Sequence, residues 1–446
     1  MGLPNRARAA GTDWRGHYRR RMIEPDEIAK RVRSGDRIYT VIGHDCGLLM
    51  ACLIARADEL TDVEIRRLGG FWEDYGLYTP EWRERIRVNA SFATAPSHDA
   101  VEQGIIDFTV VGFGEVNRHI EQQRPESPGY DQCWFTITPP DDRGMCCVGT
   151  ELWDLKPAMR HSPIRVAGVN EHLPRTFGDT WIHASEIDYF YEQHQAAPER
   201  MRKTPTSAAR AVAKHISTLV RSGDTLQIGT GATTFALASL GAFDDKDDLG
   251  WFSELSTPGA LDLVRRGIVT SKRATLHPNR FVTTGLTPTG QDECDYVDGN
   301  RFFEFHGYDY MLDPKVIARN DNMVSINNAL AVDLLGQIAV SSLGPRIRAG
   351  TGGQLAFHMG AYLSKGGRAI TVLPSTSTDG STSRIVRQHP PGQLVTVPWD
   401  LADTVVTEYG VADLLGKSIR QRAEALIAIA HPDMRPELLT AINRLQ

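Results

Sequence analysis

The sequence predicts an α/β protein of two related halves, each a mostly parallel sheet covered by helices. Three observations carry this expectation. Stretches with helical periodicity alternate with short β-rich runs along nearly the whole chain, the pattern of strands joined by crossover helices. The chain has 446 residues, 41% hydrophobic and 23% charged, enough for more than one core and ordinary for a soluble enzyme. The third observation is an internal echo. IEPDEIAKRVRSGDRIYTVIGHDCG stands near the start, and SAARAVAKHISTLVRSGDTLQIGTGATT follows much later. Each is a helix-period stretch, then Arg-Ser-Gly-Asp (starting at Arg33 and at Arg221), a β-rich run and a glycine-containing turn. A single recurrence at so long a spacing points to two related halves rather than a solenoid.

Residues 1–21 are basic and no apolar run follows them, so they are expected to form a solvated arm and not a secretory signal. The first α/β domain is expected over 22–193. Residues 194–207, HQAAPERMRKTPTS, are polar, contain two prolines and lack apolar periodicity, so they read as a linker. The second domain is expected over 208–446, with strands at 225–228, 250–253, 323–326, 369–373 and 404–407. Residues 418–446 read as helical, broken in two at His431-Pro432.

Several function classes fall away. The longest apolar stretch, 47–55, is far short of the ~20 residues that span a bilayer, so no membrane association is expected. The net charge of −6 argues against a nucleic-acid partner. The six cysteines form no CxxC pair, and Cys146 and Cys147 are adjacent, so the thiols are expected to be free in a reducing cytoplasm. No metal site is expected. His44, Cys46 and Cys52 have ligand chemistry but lack a second ligand pair at a known spacing.

The segments that could carry chemistry lie in the second half. In LQIGTGATTFALASL a strand runs into Gly229-Thr230-Gly231-Ala232, and a helix is expected from about Thr233. Small residues let a ligand approach the backbone, and free amides at a helix start attract negative charge. The third glycine of a dinucleotide fingerprint is missing. In LGWFSELSTPGALDLVRRG a strand is expected to end at Ser253 or Glu254, with Thr257 capping a helix that opens at Pro258. Glu254 then sits at the carboxyl end of a strand, where open parallel sheets bind ligands. It can serve there as a nucleophile or a general base, or as a mere surface or capping acid. Glu408, in ADTVVTEYGVADLLG, has the same setting, and the two acids could meet at one sheet edge. RAGTGGQLAFHMGAYLSKGG supplies a second glycine-rich loop at a helix start, with Lys365 a candidate phosphate contact. LPSTSTDGSTSRI adds hydroxyls that a polar ligand could use. His306, in FFEFHGYDY, reads as structural.

Taken together these residues resemble the acetyl-CoA hydrolase/transferase family. The resemblance runs from about residue 22 to the C-terminus, through TPPDDRGMCCVGTE, VNEHLPRTFGDTWIHASEID, the Glu254 segment, DNMVSINNALAVDLLGQI, GTGGQLAF…GAYLSKGG and VVTEYGVADLLGKSIRQRAEALIAIAHPDMR. It implies two CoA-transferase-type α/β domains with the active site between them. It implies that Glu254 is the nucleophile, that main-chain amides at Thr230 and Gly353 form the oxyanion pocket, and that Glu408 lies near the site. Coenzyme A would be a substrate, with no permanently bound cofactor. An acyl-CoA and a carboxylic acid would be the partners, and the protein would be a homodimer.

The implied reaction is ping-pong CoA transfer through an acyl-glutamyl anhydride and a glutamyl-CoA thioester. Acyl-CoA hydrolysis on the same scaffold, or acyl transfer to an alcohol or amine, are the alternatives. The chain also departs from the family pattern. Leu312 stands where members often carry Asn, and Thr378 where they carry Lys. Ala356 replaces an Asp, and residues 229–234 replace a GIGGIP-like loop. The loss of polarity at Leu312 points to a larger or more apolar acyl group. Gly229, Gly231, Ala232, Leu312, Gly352, Lys365 and Thr378 are the expected substrate-binding positions.

Overall fold

The computed structural model describes residues 13–44, 46–69, 75–112, 129–197, 199, 204–350 and 352–442. In chain order its main strands are β1 (Arg37–Thr40), β2 (Val63–Gly69), β3 (Ile86–Phe92), β4 (Asp107–Phe108), β5 (Gln132–Ile137), β6 (Ile164–Val169), β7 (Phe177–Gly178) and β8 (Tyr189–Glu192). These are followed by β9 (Thr225–Ile228), β10 (Gly250–Ser256), β11 (Phe281–Leu286), β12 (Phe303–Phe305), β13 (Met323–Asn328), β14 (Arg368–Val372), β15 (Thr404–Thr407) and β16 (Gly410–Asp413).

The first sheet has seven strands in the order β8-β6-β5-β1-β2-β3-β4, all parallel. The second has nine, ordered β16-β15-β14-β13-β9-β10-β11-β12-β7, parallel except for the β15–β16 hairpin. Every residue of β2 and of β11 is buried, as strands covered on both faces must be.

The internal echo is a real structural repeat. The strand order β6-β5-β1-β2-β3-β4 in one sheet matches β14-β13-β9-β10-β11-β12 in the other. The two Arg-Ser-Gly-Asp turns are built alike. The amide of Arg33 donates to Asp36 Oδ2 at 2.9 Å and that of Arg221 to Asp224 Oδ2 at 2.7 Å. Their glycines, Gly35 and Gly223, hold φ of +83° and +84°, a conformation that favours a residue without Cβ. Each turn delivers the chain into a central strand, β1 or β9.

The structure corrects some expectations. Residues 14–21 are not a solvated arm: Trp14–Arg21 is a helix capped by Asp13, with Tyr18 packed edge-on to Phe190 at 4.8 Å. Residues 1–12 lie outside the described residues. The linker ends one residue early, because Ser207 already opens the helix Ser207–Leu219 under a Thr206 cap. Residues 198 and 200–203 of it lie outside the described residues. Strand β7, placed in the first half by sequence, pairs with β12 at the edge of the second sheet. One apolar cluster joins Tyr39, Phe135 and Val148 of the first half to Leu226, Trp251 and Phe281 of the second, so the halves share a core. The C-terminal break holds, with helices Ile419–Ile429 and Arg435–Ile442 on either side of His431-Pro432. No helix among the described residues is long and apolar enough to cross a membrane.

Candidate active site

Glu254 lies near the carboxyl end of β10. The strand continues two residues beyond it, to Ser256. The helix that follows, Ala260–Arg265, starts later than the sequence suggested. Its N-cap is Gly259 at φ +90°, and Thr257 only accepts the amide of Ala260 through its carbonyl. The backbone of Glu254 is fixed by Thr283, whose hydroxyl donates to the Glu254 carbonyl at 3.0 Å. Its carboxylate lies beside the Gly353 amide and the Tyr308 hydroxyl, and both donors draw its pKa down. Enclosure by protein outweighs both donors and pushes the pKa up to about 7. Tyr308 is buried, and desolvation followed by the neighbouring Glu254 charge holds its pKa well above the usual tyrosine range, so it stays a donor.

Two glycine loops flank this carboxylate. The first follows β9, the strand beside β10, where Thr225 pairs with Gly250 and Leu226 with Trp251. Continuing that register brings Gly229 alongside Glu254, with Thr230 exposed at the sheet edge. A clasp from β13 shapes the loop. The Asn328 amide donates to the Thr230 carbonyl at 3.0 Å and to Thr234 Oγ1 at 2.5 Å. A Cβ at Gly229 would meet Asn327 Oδ1 at 2.0 Å, and one at Gly231 would meet Asn328 Nδ2 at 2.1 Å. The backbone therefore approaches those side chains only because both positions are glycine. The helix after it is short, Ala232–Ala236.

The second loop precedes the helix Gln354–Leu363, whose N-cap is Gly353. Gly352 turns the chain at φ +55° and lies over Phe92 at the end of β3. Beside it the Arg348 carbonyl meets His98 Nε2 at 2.8 Å, and Arg346 pairs with Glu102 at 2.9 Å. These contacts come from the first half, so the site lies where the two halves meet.

A second seam closes the opposite side. Residues 150–153 run along β11, with a bridge between Glu151 and Gly285. The Leu152 amide donates to the Thr284 carbonyl at 2.9 Å and the Leu286 amide to the Thr150 carbonyl at 2.9 Å. Trp153, at φ +45°, accepts the Tyr308 amide through its carbonyl at 2.9 Å, and its ring meets Tyr308 edge-on at 5.6 Å. The Trp153 indole in turn donates to Glu151 Oε2 at 2.6 Å. A first-half segment thus holds the tyrosine that holds the nucleophile candidate. A cavity of about 230 Å³ lined by Trp153, Lys156, Asp179 and Asp309 among others does not include Glu254.

The remaining candidates divide. Leu312 is fully buried against the site, 2.7 Å from where a Gly353 Cβ would stand. Glu408 does not meet Glu254. Both lie at carboxyl ends of strands, but β15 and β10 are four strand spacings apart, roughly 19 Å. Glu408 instead accepts both the amide and the hydroxyl of Ser375, at 2.9 and 2.7 Å, fixing the loop after β14. Thr378 is exposed in a turn of that loop. Lys365 is on the wrong side of the sheet. It follows the C-terminal end of a ten-residue helix about 15 Å long, whose N-terminus faces Glu254. Its side chain is 88% exposed, and its ammonium lies 3.8 Å from Asp321. His44 is occupied by Thr136 and the Glu151 carbonyl, at 2.7 and 2.5 Å. All six cysteines are free.

Sequence reasoning missed Tyr308, Trp153 and the Asn327-Asn328 clasp. The asparagines stand in a stretch that carried the family resemblance, and their place at the end of a strand next to β9 was the available signal. Nothing in local spacing links Tyr308 or Trp153 to residue 254.

Comparison with known proteins identifies the family. The acetyl-CoA hydrolase/transferase N-terminal domain matches residues 6–198, and the C-terminal domain of the same family matches 291–442. The chain is 36% identical to a 4-hydroxybutyrate coenzyme A transferase of Clostridium kluyveri, over 97% of this chain and 99% of that protein. It is 35% identical to a succinyl-CoA:cyclohexane-1-carboxylate CoA transferase of Geobacter metallireducens, over 96% of each. The crystal structure of RipA from Yersinia pestis superposes with a TM-score of 0.89 at 30% identity, over 97% of this chain and 99% of that one. The chain belongs to the acetyl-CoA hydrolase/transferase family, and it is an enzyme of the CoA-transferase kind.

Proposed function

We propose that the protein moves CoA from an acyl-CoA to a carboxylic acid by covalent catalysis at Glu254. The observation that carries this reading is the Glu254 carboxylate set beside the Gly353 amide and the Tyr308 hydroxyl, at a strand end between the two halves. The ionised carboxylate attacks the thioester carbonyl, the C–S bond breaks, and an acyl-glutamyl anhydride and CoA thiolate result. The thiolate attacks the glutamyl carbonyl, releasing the first carboxylate and leaving a glutamyl-CoA thioester. The acceptor carboxylate attacks that thioester and expels the thiolate. The thiolate then attacks the acceptor's carbonyl in the new anhydride, giving the new acyl-CoA and free Glu254.

Each attack on the glutamyl carbonyl places negative charge on an oxygen that Glu254 already directs at two donors. Gly353 N–H and Tyr308 O–H therefore serve as preorganised oxyanion donors. The amide of Thr230, on the loop set by Asn328, is the donor we assign to the oxyanion of the acyl carbonyl. Water must be excluded for the thioester energy to be kept, and burial of Tyr308, Leu312 and Gly353 favours that. Leu312 offers no hydrogen bond to the acyl group, which favours an apolar acyl chain over a hydroxylated one. The named relatives handle 4-hydroxybutyrate and cyclohexane-1-carboxylate, a polar and an apolar acid, and Leu312 aligns this chain with the second kind. Five buried free thiols fit action in the reducing cytoplasm, and the same reading has a homodimer using diffusible CoA.

The test is mass spectrometry of the protein incubated with a panel of acyl-CoAs and quenched. A CoA adduct on the peptide containing Glu254, absent in Glu254→Ala, is expected. Full transfer by folded Glu254→Ala overturns the mechanism. Thiol release that is indifferent to acceptor acid replaces transfer with hydrolysis.

A further inference from the structure

Away from Glu254, at the outer edge of the second sheet, three side chains converge. One ligand atom from each of His277, Glu304 and His306 lies within 4.8 Å of the others. Glu304 Oε2 is the shared centre, 3.1 Å from His277 Nδ1 and 3.5 Å from His306 Nε2. Bonds of about 2.0 Å meeting at a tetrahedral angle separate ligand atoms by about 3.3 Å. The two spacings to the carboxylate bracket that value, and the two histidine nitrogens stand within 4.8 Å of each other. The His306 Nε2 atom is buried and makes no hydrogen bond of good geometry.

The atoms behind these three are arranged as the outer layer of a metal site is. His277 Nε2 meets Tyr310 Oη at 2.8 Å. His306 Nδ1 meets Asp179 Oδ2 at 3.3 Å. Arg280 Nε donates to the remaining oxygen, Glu304 Oε1, at 2.9 Å. Ligating histidines regularly give their second nitrogen to a carboxylate or hydroxyl, and ligating carboxylates are themselves hydrogen-bonded, because this fixes ring orientation and raises ligand basicity. The three inward atoms face one another, with His277 Nδ1 hydrogen-bonded to Glu304 Oε2 at 3.1 Å and His306 Nε2 without a hydrogen bond, and all three outward atoms are held. A simple histidine–carboxylate pair needs only one ring. The three side chains are between 18% and 23% exposed, which leaves water access to a fourth position.

We propose that His277, Glu304 and His306 form a binding site for one zinc-class divalent cation, with water as the fourth ligand. Two imidazoles, one carboxylate and an open position make a donor set that zinc accepts. The site would be a staple. Asp179 follows β7, which comes from the first half of the chain, whereas Glu304 and His306 flank the end of β12 and His277 precedes β11. Tyr310 shares the helix Tyr308–Met311 with the tyrosine that donates to Glu254. Occupancy would thus fix the helix behind the nucleophile without touching substrate.

The experiment uses the full chain stripped with a chelator and titrated with Zn²⁺ against a chromophoric competitor, then with Co²⁺. One equivalent of Zn²⁺ per chain is expected, with a rise in melting temperature and an intense four-coordinate cobalt spectrum. His277→Ala and His306→Phe are each expected to abolish binding and the thermal shift. Tyr310→Phe should keep the stoichiometry and weaken affinity about 10–100-fold. Glu304→Gln, which preserves volume, carries the test where a histidine variant fails to fold. Absence of Zn²⁺ binding, binding that survives both histidine changes, or a weak six-coordinate cobalt spectrum overturns the assignment.

Discussion

A Cβ on Gly353 would stand 2.1 Å from Oε2 of Glu254, so the absent side chain at 353 is what allows the amide to reach the carboxylate. The backbone at Gly353 has φ −86°, which any residue adopts. Alanine is therefore excluded by contact and not by conformation. Gly353→Ala must push the carboxylate away from its amide donor, and displacement of a nucleophile by about 1 Å costs on the order of 100-fold in rate. We expect kcat to fall by at least that factor, with an unchanged circular dichroism spectrum. Transfer within a few-fold of wild type would show that the amide does not serve Glu254.

Tyr308→Phe removes one hydrogen bond and leaves the ring against Trp153. A hydrogen bond to a charged group is worth roughly 1.5–3 kcal/mol, which corresponds to about 10–100-fold in rate if it acts at the transition state. The Tyr308 hydroxyl also lowers the pKa of Glu254, against the burial that raises it to about 7. Its loss should therefore move the acid limb of the pH–rate profile to higher pH. A drop in kcat with no movement of that limb would mark Tyr308 as a packing residue only.

The raised pKa of Glu254 has a cost in stability with a definite sign. Unfolded, the group titrates near 4.5; folded, at about 7. Its contribution is favourable below pH 4.5 and is lost as pH rises through 7, because the folded state then holds an ionised carboxylate in an enclosed site. The full difference is about 3 kcal/mol. Glu254→Gln lacks this loss. Its stability advantage over wild type, measured by urea unfolding, should be small at pH 5 and grow toward pH 8. An advantage independent of pH would place the pKa near its ordinary value.

Fold was far more legible than site. The five strands expected in the second half all form, because buried parallel strands are short apolar runs bounded by turns. The Arg-Ser-Gly-Asp echo identified the repeat, since one turn chemistry dictates one local geometry twice. Glu254 was marked in sequence by its place near a strand end and Gly353 by the family resemblance, and the structure sets the two side by side. The failures are of two kinds. Lys365 looked close to its loop in sequence but stands a helix length away, because a helix carries its ends to opposite edges of the sheet. Glu408 and Glu254 share a motif and an edge, yet strand order separates them by β9, β13 and β14. Tyr308 and Trp153 reach the site only through the packing of one half on the other. That register is written in long-range contacts such as Glu151 with Gly285, not in local pattern.

Leu312 is the position from which acyl preference can be tested without touching the nucleophile. It is fully buried, and its Cδ2 faces the ground that Gly353 leaves open beside Glu254. Leucine and asparagine share the same branching of side-chain heavy atoms, so Leu312→Asn exchanges an apolar surface for a smaller amide of the same outline. A buried amide without a partner costs about 1–3 kcal/mol, which a polar acyl group would relieve and an alkyl group would not. The variant should therefore lose stability when free, lose kcat/KM for alkanoyl or cyclic aliphatic acyl-CoAs, and shift by roughly 10-fold or more in relative preference toward hydroxyacyl-CoAs. Competition assays with paired acyl-CoAs measure that ratio directly. An unchanged ratio, with both substrates slowed alike, would remove Leu312 from the acyl pocket and leave it a core residue behind the glycine loop.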